Sequence, residues 1–70
     1  MDEYARNRRV GYVEWIIRDL ESRIKMYEHT LIGLDNPDSK KYIQGLLNKN
    51  KRWLKDYQTE LMSLLEQSHV

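Results

Sequence analysis

VGYVEWIIRDLESRIKMYEHTL (residues 10–31) and IQGLLNKNKRWLKDYQTELMSL (residues 43–64) carry one pattern read in opposite directions. Val10, Val13, Ile17, Leu20, Ile24, Tyr27 and Leu31 advance by alternating threes and fours, the spacing of a heptad seam. Leu64, Leu61, Tyr57, Leu54, Asn50, Leu47 and Ile43 mirror them, each pair of residue numbers summing to 74. A chain doubled back about Pro37 brings the two members of every pair into one layer. The pattern therefore dictates an all-α fold, an antiparallel two-helix hairpin of coiled-coil type.

The ends of the helices follow from local chemistry. Asp2 and Glu3 suit the positive end of a helix dipole, so the first helix is expected over about residues 3–32. Gly33 is expected to close it in the left-handed conformation. In the connection 33–36, Asn36 reads as an N-cap, with Pro37 at the first helical position and Asp38 in the first turn. The second helix is expected over about 37–67, with fraying from Ser68 to Val70. Helices of this size are ~45 Å long at 1.5 Å per residue. Glu14–Arg18, Asp19–Arg23 and Glu21–Lys25 stand at i,i+4 in the favourable order. Gly11 and Gly45, isolated inside the helices, are expected to permit close helix approach.

Seventy residues make one domain, 1–70, that is short of core on its own. It has no cysteine for a disulfide or a thiolate metal site. Association is the remaining route to stability. No apolar run is long enough to span a bilayer. MDEYARNRR begins acidic and lacks an apolar segment, so no secretory signal and a cytoplasmic location are expected.

Apolar residues extend beyond the seam. Tyr12, Trp15 and Ile16 stand at i, i+3, i+4 on the first helix, with Trp15 opposite the seam. Leu46, Trp53 and Leu65 flank the seam on the second helix. An indole left in water exposes much of the ~150–250 Å² it can bury. These six residues are the expected assembly interface, with hairpins joining as a helical-bundle oligomer, a dimer or higher. The plainer alternative is a tryptophan lying flat on its own helix. Asn50, the polar member of the seam, reads as a device for register and partner number at some cost in stability.

Charge divides the chain. Residues 39–55 hold Lys40, Lys41, Lys49, Lys51, Arg52 and Lys55 and no acid, while Arg6, Arg8 and Arg9 sit among Tyr4, Tyr12 and Trp15. Cations interleaved with aromatic rings suit phosphate pairing and base stacking. The opposing expectation is internal neutralisation, with the N-terminal arginines pairing with Glu60 and Glu66 across the hairpin and the loop-half cations facing Asp19, Glu21, Glu28 and Asp35. His29 and His69 are solitary, there is no glycine-rich phosphate loop, and no serine stands beside a plausible base, so no catalytic residues, metal or cofactor are expected.

The expected function is that of a non-enzymatic, self-assembling helical module. It would act stoichiometrically, as adaptor, inhibitor or sequestering protein, through an apolar outer face on a partner protein. The alternative is an oligomeric binder of a phosphate-bearing ligand, nucleic acid or cyclic nucleotide, using Tyr4, Arg6, Arg8, Arg9 and Tyr12 with Lys49 and Arg52.

Overall fold

The computed structural model describes residues 2–67. Two helices, α1 (Glu3–Ile32) and α2 (Pro37–Gln67), pack against each other as an antiparallel hairpin measuring 52 × 14 × 14 Å. Its radius of gyration is 15.9 Å, against about 11 Å for a compact chain of this length. The helix boundaries coincide with those read from the sequence. The fraying expected from Ser68 to Val70, and His69 with it, lies outside the described residues.

Both helices start on side-chain caps. Asp2 is extended, and its Oδ1 accepts from the Ala5 amide at 2.8 Å. Asn36 Oδ1 accepts from the amides of Asp38 at 2.9 Å and Ser39 at 3.1 Å. Pro37 then fills the first helical position, where its missing N–H costs nothing. Asparagine at the cap satisfies two amides that the helix leaves orphaned.

The C-terminus of α1 differs from expectation. Gly33 is not left-handed; its φ is −96° and ψ 4°, and no described residue has a positive φ. The chain leaves α1 in a right-handed turn in which the Gly33 and Leu34 amides both reach back to the Leu31 carbonyl. That turn keeps Leu34 half-buried beside Ile43, extending the apolar contact past Leu31.

The mirrored seam is the core. Val13 is fully enclosed (0% exposed), and Leu20, Ile24, Leu47, Asn50 and Leu64 are buried. The other eight seam residues are half-buried, because a helix with a single neighbour cannot cover the edges of its own stripe. Glycine at 11 and 45 does not bring the helices close. A Cβ built at either position has nothing within 4 Å. Both lie on the solvent side, where a helix gains nothing from the missing side chain. Of the three i,i+4 pairs, Asp19–Arg23 closes at 3.0 Å, while Glu14–Arg18 and Glu21–Lys25 form no ion pair among the described residues. Among the described residues, no helix is long and apolar enough to cross a membrane.

Candidate functional site

In an antiparallel pair of right-handed helices, flanks of the same rotational sense meet. Residues one position before a seam residue therefore share one face of the hairpin, and residues one position after share the opposite face. Arg9, Tyr12, Ile16, Asp19 and Arg23 precede seam residues of α1; Leu46, Lys49, Trp53 and Glu60 precede seam residues of α2. The side chains obey this rule.

At mid-length, Ile16, Asp19, Leu20, Arg23, Trp53 and Tyr57 line a groove of about 260 Å³ between the helices. Trp53 forms one wall and remains 41% exposed. The Asp19–Arg23 ion pair closes the α1 side. Toward the N-terminus, Arg9 crosses to Glu60, its Nε donating to Oε2 at 2.5 Å and its Nη2 to Oε1 at 2.9 Å. That bond holds the Glu60 carboxyl below its usual range; burial opposes the shift and the guanidinium charge assists it. Arg9 also lies 5.3 Å from the Tyr12 ring centroid. Toward the loop, Lys49 sits 5.0 Å from the Trp53 centroid. This face is an apolar groove whose neighbouring charges are already partnered within the hairpin.

The expected interface residues divide between surfaces. Tyr12, Ile16, Leu46 and Trp53 belong to the groove face, with Ile16 and Leu46 half-buried. Leu65 follows a seam residue and so lies on the opposite face, 47% exposed. Trp15 projects away from α2 and is 63% exposed. The flank rule needs only residue numbers, so the separation of Leu65 from Trp53 is a signal present in the sequence.

The basic residues do not gather at one point within the hairpin. Arg9 is engaged by Glu60, Arg6 lies 4.0 Å from Glu3, and Arg8 rests 5.9 Å from the Tyr4 ring centroid. Lys49 is level with residue 25 of α1, about 24 Å along the rod from Arg9. Arg52 follows on the outer side of α2, exposed. Glu66 forms no ion pair among the described residues, and neither do Lys40, Lys41, Lys51, Arg52 and Lys55. The expected neutralisation of the loop half by Asp19, Glu21, Glu28 and Asp35 is thus not made by direct pairs across the helices, because those carboxylates lie beyond bridging distance. The side chain of Asn50 donates from Nδ2 to the Leu46 carbonyl at 2.7 Å, and its Oδ1 is buried without a partner.

A second groove of about 380 Å³ lies at the loop end, lined by Thr30, Leu34, Asp38, Ser39, Tyr42 and Ile43. The Thr30 hydroxyl there donates back to the Met26 carbonyl. Among the described residues, no group of three or more histidines and carboxylates is placed to hold a metal ion. No protein-family model, no curated protein and no solved structure matches this chain.

Proposed function

We propose that this chain is a non-enzymatic, self-assembling helical module that acts stoichiometrically on a partner protein. The observation that carries the reading is the exposure of two indoles that the seam of the hairpin does not cover. Trp53 lines the central groove, and Trp15 stands exposed on the side of α1 away from the seam. Apolar surface of this kind, rimmed by polar residues, is characteristic of protein interaction sites. The groove face supports self-assembly, and the exposed Trp15 is the anchor on the outer face for the partner. Hot spots of interfaces are enriched in tryptophan, and Trp15 is 63% exposed.

The alternative, capture of a phosphate-bearing ligand at the N-terminal end, loses one guanidinium within the chain. The Arg9 fork that would chelate phosphate is occupied by Glu60. Native mass measurement, with and without single-stranded nucleic acid and cyclic nucleotides, tests both readings. The module reading expects an oligomer whose mass does not change on adding nucleotide. A stable, fully helical monomer overturns the self-assembly, and stoichiometric nucleotide binding decides for the alternative.

A further inference from the structure

We infer that the groove at Trp53 is covered by a second copy of this chain, the two rods antiparallel, with α2 of one hairpin lying on α2 of the other. The inference rests on the self-assembling reading above and assigns its geometry.

The first argument is position. The groove's lining residues fall level with residues 16 to 23 of α1, Trp53 being level with 21 and Tyr57 with 17. The described helices extend from level 3 to level 37, so the groove straddles the midpoint of the rod. A two-fold axis through a central groove overlaps two identical rods along nearly their whole length. An off-centre groove would leave half of each rod bare. Closed two-fold contacts use one self-complementary patch on both subunits, and a central patch meets that requirement.

The second argument is area. A compact monomer of 8.5 kDa exposes about 4,700 Å², whereas this hairpin exposes 5638 Å². The excess is about 1,000 Å², close to the ~800 Å² per partner of a standard specific interface.

The third argument is charge. Lys49 is level with residue 25 and Glu60 with residue 14, on the same flank of α2 and nearly equidistant from the groove's centre. An axis crossing the rods at that centre therefore sets Lys49 of each copy opposite Glu60 of the other, twice over. It also sets Trp53 against Tyr57. With parallel rods, Lys49 would instead meet Arg23, a like-charge contact. Glu60 retains acceptor capacity beyond the two bonds from Arg9. Asp19, nearest the axis on α1, carries its own counter-charge in Arg23.

The chain has no cysteine, so thiols report proximity without background. Lys49→Cys and Glu60→Cys chains, mixed under mild oxidation, are expected to form the mixed disulfide in preference to either symmetric one. Sedimentation of the unmutated chain should give twice the chain mass. Trp53→Ala and Lys49→Glu should each raise the dimer Kd at least about tenfold at unchanged helix content, with Trp15→Ala neutral. A dimer sensitive to Trp15→Ala but indifferent to Trp53→Ala and Lys49→Glu, or one favouring a symmetric disulfide, overturns this geometry and leaves self-assembly standing. A monomer at every concentration overturns both.

Discussion

Arg9 and Glu60, 51 positions apart in the chain, are joined by two parallel hydrogen bonds that tie the open end of the hairpin. The loop constrains the helices at one end only. A fork-to-carboxylate bond near the other end holds the register where the helices are free to splay. Both side chains remain partly exposed, so the bond acts in a screened environment and weakens in salt.

The pair makes stability depend on acid. The folded Glu60 carboxyl is held below its unfolded value. Its stabilisation is therefore complete above the ordinary carboxylate range and is lost as pH falls through the lowered folded value. Melting curves of the unmutated chain and of Glu60→Gln should differ at neutral pH and converge on acidification. A constant difference across that range would remove the pair from the stability of the fold.

The middle layers carry the hairpin. Leu20 is buried and Leu54, opposite it, half-buried, so truncation of Leu20 leaves the less forgiving void. Leu20→Ala should cost ~2–5 kcal/mol, with Leu54→Ala toward the lower end of that range. For a domain this small, the larger loss approaches the whole stability. Circular dichroism melts check the order, and equal tolerance of both substitutions would place the core elsewhere.

Asn50 is 4% exposed, and its Oδ1 has no partner, so it carries a desolvation cost that its single bond to Leu46 does not return. Asn50→Leu should raise the melting temperature. It should also loosen register or subunit number, because a polar layer disfavours slipped pairings that an all-apolar seam tolerates. A lower melting temperature would mean that Oδ1 is satisfied by a polar network or a ligand contact.

Gly11 and Gly45 face open space in helix interiors. Gly11→Ala and Gly45→Ala should each stabilise by about 0.5–1 kcal/mol through helix propensity alone. Being far apart along the rod, they should add. Urea midpoints of the single and double variants check this. A destabilised variant would show that the position is covered by a group outside the hairpin.

The sequence by itself determined the hairpin, its layers and the limits of both helices. The seam from Val10 to Leu31 and its mirror from Ile43 to Leu64 are one-dimensional periodicities, and the caps at Asp2 and Asn36 are contacts within three residues. Neither depends on anything distant in the chain. The face shared by Ile16, Trp53, Arg9 and Glu60 was also legible, through their common offset from the seam.

Other features were decided only when the helices met. Arg9, rather than Arg6 or Arg8, takes Glu60, and Glu66 forms no ion pair among the described residues. The two lone helix glycines, expected to permit a close approach, instead face open space once the helices are packed. The right-handed exit at Gly33, the groove beside Trp53 and the orphaned oxygen of Asn50 arise in the same way. These depend on the separation of the two helices and on how each side chain fills its layer. Periodicity fixes which residues face each other, whereas packed volumes decide which atoms touch.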